Sequence, residues 1–284
     1  MRFLFKNTTP LILLLAFAVI PLLLGMAYAL LYSLGMVGVL HDGFTLTHWI
    51  AVCTSTDVLL AFTYTIAISL VSILICVTLA AGITVLLGST LRKGLTSYVV
   101  YIPLAFPGLV AAFFFFQFLS NSGLLSRLAY QVGIISSINS FPNLVNDKYG
   151  IGILIAQLFL SLPIFILLNV SILHNENAHA LKVLAQSLGA NKWQVLTKVT
   201  LPLLLRKSKP TILLSFIFKL GMYELPLLLG RSSPEAISVL TVRKMQRFNL
   251  LDIPQGYAIA VLYAILVFVL VTIVVKPNNN NVHG

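Results

Sequence analysis

The sequence predicts an all-α membrane protein with six transmembrane helices. Three observations carry this prediction. Hydrophobic residues make up 59% of the 284 positions and charged residues only 9%, where a soluble domain is about half apolar and about a quarter charged. Seven acidic and eighteen basic side chains cannot give a chain of this length a water-compatible surface, which excludes a soluble enzyme and a disordered chain. The apolar residues are also gathered into long uniform runs. Spanning β-strands would need only about 10 residues with in–out alternation, so these runs are helices.

A helix crosses the bilayer core with about 20 apolar residues, and six stretches qualify: 10–34, 58–87, 98–119, 151–173, 211–230 and 257–275. The first has the outline of a signal peptide, with Arg2 and Lys6 before the apolar core and Ala27-Tyr28-Ala29 as a small-residue site. Its apolar residues continue to Leu34, beyond an ordinary signal core, so a retained membrane helix is expected. The third and fourth carry Phe106-Pro107-Gly108 and Ser161-Leu162-Pro163, where kinks are expected. Phe113 to Phe116 cover every side of their helix, and Gln117, Gln157 and Asn169 are neutral polar groups suited to joining helices. Cys53 and Cys76 fall at different depths and are read as unpaired.

Loop charge sets the expected orientation. With the N-terminus inside, the inner segments hold eleven basic residues: Arg2, Lys6, Arg92, Lys93, Lys182, Lys192, Lys198, Arg206, Lys207, Lys209 and Lys276. The outer loops hold six, and Lys219 lies within a span. The bias predicts both termini in the cytoplasm, and the net charge of +11 orients loops rather than binding nucleic acid. Loops 35–57 (with His41, Asp42, His48 and Trp49) and 120–150 are then outer. The turn 88–97 and the long polar segment 174–209 are inner, and the Asn run 278–281 is a low-complexity tail.

The inner segment 178–202 reads AHALKVLAQSLGANKWQVLTKVTLP. Leu181, Leu184, Ala185 and Leu188 fall at i, i+3, i+4 and i+7, one stripe of a short amphipathic helix. Gly189 follows as the helix stop, Asn191 can cap a second helix from Lys192, and Trp193, Leu196 and Thr200 share a face of it. Pro202 is expected to end or kink that helix. Periodicity alone describes a helix–glycine–helix element resting at the membrane surface.

The stretch LAQSLGANKWQVLTKVTLP resembles the EAA loop of permease subunits in binding-protein-dependent ABC importers. That pattern is Glu-Ala-Ala, three residues, Gly, about nine residues, an aliphatic residue, one residue, then Leu-Pro. Gly189 stands at the glycine, Ala185 at the second alanine and Leu201-Pro202 at the terminal pair, while Val183 replaces the glutamate and Leu184 the first alanine. Downstream, KLGMYELPLLLG, SVLTVRKMQ and GYAIAVL resemble the polyamine, ferric-iron and thiamine branch, many of whose members read Gly-Glu-Phe where this chain has Gly221-Met222-Tyr223. The resemblance spans 58–275, with its specificity concentrated in 178–260.

The resemblance implies a type I ABC importer permease-like fold: six spans and a cytoplasmic coupling helix. Residues 1–57 would form the N-terminal transmembrane helix and outer loop, 58–275 the permease core with coupling loop 178–202, and 276–284 a tail. Val183, Leu184, Ala185, Leu188, Gly189, Ala190, Leu201 and Pro202 would couple to a cytoplasmic ATPase. The implied partners are ATP-binding cassette subunits, a second and related permease chain, a soluble substrate-binding protein and membrane lipid, in a bacterial inner membrane. The chain has no phosphate-binding Gly-rich Lys-Ser/Thr motif. ATP and Mg are therefore expected on the partner, and no cofactor, metal or catalytic residue in this chain.

Lys219 and Glu224 are each costly at bilayer depth, by roughly 2.5–3.5 kcal/mol on insertion scales, and are functional candidates. Five residues apart, they are poorly placed to pair on one helix face. Pro226 is expected to free the Met222 carbonyl and break the helix beside Glu224. Lys219, Tyr223, Glu224 and Pro226 are thus candidates for the translocation pathway, with interhelical packing an equal reading for Lys219. His174 and His179 lack metal-ligand spacing. The competing functions are an ion-coupled secondary transporter, which would need an embedded ion site and often an inverted repeat, and a membrane enzyme, which would need a catalytic constellation.

Overall fold

A computed structural model of the protein describes residues 12–39, 43–88 and 95–275. Arg2, Lys6, His41, Asp42, Arg92, Lys93, Lys276 and the Asn run lie outside them. The regular structure of the described residues is helical, and five of their helices are long and apolar enough to cross a membrane: Ile12–Ser33, Thr56–Leu87, Gly108–Gln131, Ile151–Asn175 and Asp252–Thr272. The helices are α1 (Ile20–Ser33), α2 (Thr47–Thr54), α3 (Thr56–Leu87), α4 (Leu95–Tyr101), α5 (Gly108–Leu119), α6 (Leu124–Gln131), α7 (Ile151–Asn175), α8 (Ala178–Ser187), α9 (Lys192–Val195), α10 (Leu201–Leu220), α11 (Glu224–Leu229), α12 (Ile237–Met245) and α13 (Asp252–Val275).

Two units divide the chain: residues 1–59 with 239–284, and residues 60–238. In the first, α1 enters through a π-helical turn at Leu15–Val19 and packs on α13. Tyr32 and Tyr257 have ring centroids 4.4 Å apart, and Tyr28 meets Tyr257 edge-on at 6.0 Å. Trp49 Nε1 donates to Ser33 Oγ at 3.1 Å, fastening α2 to α1. The start of α13 is held by Arg247 against Asp252 at 3.3 Å and by Lys244 donating to Gln255 at 2.7 Å.

In the second unit α3 and α7 run parallel, since three apolar clusters pair ascending positions on both. Ile68 of α3 and Ile153 and Ala156 of α7 share the first cluster with Ala112, Phe115 and Leu119 of α5 and with Met222, Leu225 and Leu229. Ile73, Cys76 and Ala80 meet Phe165 and Ile166 in the second, and Ala81 meets Ile172 and Leu204 in the third. At the N-terminus of α7, Asp147 Oδ2 accepts from the amides of Tyr149 and Ile151 at 2.9 and 3.0 Å.

The prolines act differently from one another. Pro107 is the N-cap of α5, after a 3-10 turn at Ile102–Ala105, so the expected kink is a full break. Pro163 lies inside α7, which continues through it. The 211–230 stretch, expected as one span, is built from two helices interrupted at Gly221-Met222-Tyr223. Pro226 follows that break by less than one turn, and the Met222 carbonyl four residues before it is free of the helix, as expected. Pro226 sits in the first turn of α11, where its missing N–H has no intrahelical acceptor to lose. Pro202, by contrast, does not end its helix. Leu196–Thr200 forms a π-helical turn in which the Leu201 amide donates back to Leu196, and the chain runs on into α10. The Lys198 carbonyl, four residues before Pro202, loses its α-helical donor, and a widened turn accommodates the loss.

Candidate coupling and pathway sites

The α8–α9 element is shaped by local chemistry. Gly189 is left-handed, with φ +86°. The Ala190 amide donates to Ala185 O at 3.0 Å and the Gly189 amide to Gln186 O at 2.9 Å, the two crossing bonds of a Schellman stop. Asn191 Oδ1 accepts from the Gln194 amide at 2.8 Å while Gln194 Oε1 accepts from the Asn191 amide at 2.9 Å. This reciprocal capping box starts α9 two residues after the stop. Helix, sharp turn and helix are thereby fixed with no side-chain packing required.

The apolar stripe of α8 faces outward. Val183 is 51% exposed, Leu184 59% and Leu188 81%, while only Ala178 at its start is buried. Ala185 and Ala190 are half-buried, Leu201 is half-buried, and Pro202 is exposed. Trp193 does not share a buried face with Thr200. It is 70% exposed, and the inward row is Val195, Thr200, Leu204 and Ser208. The extra residue of the π-helical turn shifts the face that enters the core. Below α8, Lys207 of α10 pairs with Glu176 at the end of α7 at 2.7 Å, and the Ala81–Ile172–Leu204 cluster closes the base.

Lys219 lies in the interior, 3% exposed. Its Nζ donates to Ser72 Oγ and Ser161 Oγ at 3.0 Å each and to Gln157 O at 3.4 Å. Three donors are thereby divided between α3 and α7, and no ion pair joins Lys219 to Glu224 among the described residues. The sequence singled out Lys219 but missed Ser72 and Ser161 as its partners. Their one signal was a hydroxyl recurring inside otherwise apolar spans. Gln157 Oε1 is buried and has no hydrogen-bond partner.

Glu224 opens α11 and is half-buried. A Cβ placed on Gly108 would lie 3.7 Å from Glu224 Oε2, so the carboxyl stands beside the first residue of α5. A helix N-terminus carries partial positive charge and favours an acid there. Tyr223 is half-buried and Pro226 buried. The Met222 carbonyl, in the break, accepts from Ser238 Oγ at 2.8 Å. Next to the break, α7 and α10 border an apolar groove of about 540 Å³ that includes Ser161, Ser215, Lys219 and Met222. Cys53 and Cys76 are free thiols, and among the described residues no three His, Cys, Asp or Glu side chains gather into a metal-binding group.

The family described as "Binding-protein-dependent transport system inner membrane component" matches residues 77–277. No curated protein matches the chain. Among solved structures, a bacterial alginate ABC transporter in complex with alginate pentasaccharide-bound periplasmic protein has a chain of like fold, with TM-score 0.66, 19% identity, and coverage of 93% of this chain and 89% of that one. A bacterial ABC transporter involved in the import of the acidic polysaccharide alginate gives TM-score 0.64 and 19% identity, covering 93% and 91%.

Proposed function

The chain belongs to the family of binding-protein-dependent transport system inner membrane components, ABC importer permeases, and we propose that it forms half of a solute pathway driven through α8 by a cytoplasmic ATPase. The outward apolar face of α8 is the observation that carries this proposal. A ten-residue helix that turns Val183, Leu184 and Leu188 away from its own protein is suited to a partner's groove, and burial there would contribute roughly 25 cal/mol per Å². The Schellman stop, the capping box and the Lys207–Glu176 pair make the element rigid, so a push on α8 is passed to α7 and α10.

In this mechanism ATP and Mg are bound by two ATPase subunits, and this chain is the moved part. A soluble binding protein delivers a small solute, of polyamine, ferric-iron, thiamine or related type, to the outer loops, and a second, related permease chain completes the pathway. The chain has no catalytic role, and both termini are cytoplasmic. Glu224 and Tyr223, at the break beside α5, line the pathway with Pro226 behind them, and Lys219 braces its wall. Copurification tests the coupling: the ATPase is expected to come out with the wild-type permease and to be lost with Leu184→Asp and Leu188→Asp at normal permease levels. Retention of the ATPase by both variants would assign the contact elsewhere.

A further inference from the structure

A cleft of about 330 Å³ opens where α3 ends, α7 ends and α8 begins. Its lining holds one ammonium-bearing side chain, Lys182, and two imidazole-bearing ones. His174 comes from the last turn of α7, His179 and Lys182 come from successive turns of α8, and among the described residues no carboxylate borders the space. Glu176, the acid closest along the chain, is held by Lys207 at 2.7 Å and leaves the cleft uncompensated. Ala178, the first residue of α8, also borders it, so the amide end of a ten-residue helix adds partial positive charge that offsets the partial negative charge of the α3 and α7 C-terminal ends. Thr84 of α3 forms the floor, 1% exposed, its hydroxyl donating to Ala80 O at 2.7 Å. Leu86, 81% exposed, stands at the rim.

We propose that this cleft binds a phosphate-bearing anion, which ties α8 to the end of α7. A lysine, two histidines and the amide end of a helix bordering one open cleft offer a donor set suited to phosphate oxygens. Two sources present that chemistry: dissolved phosphate, and the phosphodiester of an anionic lipid headgroup beside the rim. The consequence, a braced α8 that passes force with less play, rests on the reading of α8 as the coupling helix. The binding itself does not.

The test uses the full chain alone, in detergent and in nanodiscs, with no ATPase present, so that failure here leaves the coupling proposal standing and failure of copurification leaves this one standing. Inorganic phosphate at ~10 mM, against chloride at matched ionic strength, is expected to raise the thermal midpoint by about 2–4 °C. The combined variant His174→Gln, His179→Gln, Lys182→Gln should lose that rise. If the source is lipid, phosphatidylglycerol nanodiscs raise the midpoint over phosphatidylcholine ones in the wild type and not in the variant. Should the combined variant fail to fold, Lys182→Gln alone must lower the response and Lys182→Arg must keep it. Equal responses of wild type and variants to both phosphate and phosphatidylglycerol, or no response of the wild type to either, overturn the proposal.

Discussion

Lys219 Nζ lies 3.0 Å from Ser72 Oγ, joining residues 147 positions apart in the chain. The contact binds α10 to α3, and the bonds to Ser161 Oγ and Gln157 O extend it to α7. A buried ammonium is retained in a span only where its donors are satisfied, and here neutral oxygens satisfy them all.

A double-mutant cycle on this pair should therefore show coupling. Lys219→Met and Ser72→Ala are each expected to destabilise the protein, with an interaction term of about 0.6 kcal/mol and at most about 1.7, the range found between membrane helices. Reversible unfolding in mixed micelles measures it. Strictly additive effects would show that the bond is made without energetic consequence.

Gly189 sits at φ +86°, and a Cβ added there would meet nothing within 4 Å. The cost of substitution is conformational alone, roughly 1–2 kcal/mol for an ordinary residue and less for asparagine. Transport per ATP hydrolysed should fall in the order Gly189, Gly189→Asn, Gly189→Val at equal protein levels. Full transport by Gly189→Val would remove the turn from the coupling mechanism.

Val183 stands where related loops carry a glutamate, and it is half exposed on the outward face of α8. Apolar packing by Val183, Leu184 and Leu188 should hold the ATPase at ionic strengths that screen surface charge pairs, and Val183→Asp should weaken the contact. The companion permease is expected to keep its acid, which makes the two halves unequal. Release by salt, or tighter binding on introducing the aspartate, would show an ionic contact instead.

Glu224 is half-buried at the break before α11. A cysteine at 224 should react with a small water-soluble thiol reagent in one nucleotide state of the assembled transporter, after Cys53, exposed in the wild type, is replaced by serine. Gly108→Ala should be tolerated, since its Cβ would make ordinary contact with the Glu224 carboxyl at 3.7 Å, while Gly108→Leu should displace the carboxyl and alter labelling. Protection of position 224 in every state would place Glu224 in a structural role.

Features set by local interactions were legible in the residues themselves. Four of the six apolar runs, 10–34, 58–87, 151–173 and 257–275, coincide with helices long and apolar enough to cross a membrane, because burial in lipid depends on length and hydropathy and hardly on neighbours. The runs 98–119 and 211–230 are instead each divided between shorter helices. Gly189 and Asn191 determined the stop and restart of the α8–α9 element, because a left-handed residue and a side-chain cap act within a few positions. The spacing from Ala185 to Pro202 likewise carried the family resemblance. Tertiary structure decided everything that depended on which groups meet across helices. Pro202 and Pro226 each offer a missing N–H, and only the surrounding packing determined that one is absorbed in a π-helical turn and the other opens a new helix. Trp193 and Thr200 looked like one stripe under a 3.6-residue period, and the π-helical turn separated them. Lys219 announced itself as a charge in an apolar segment, but its partners are serines far away in sequence, and no period along one helix can specify what another helix brings to it.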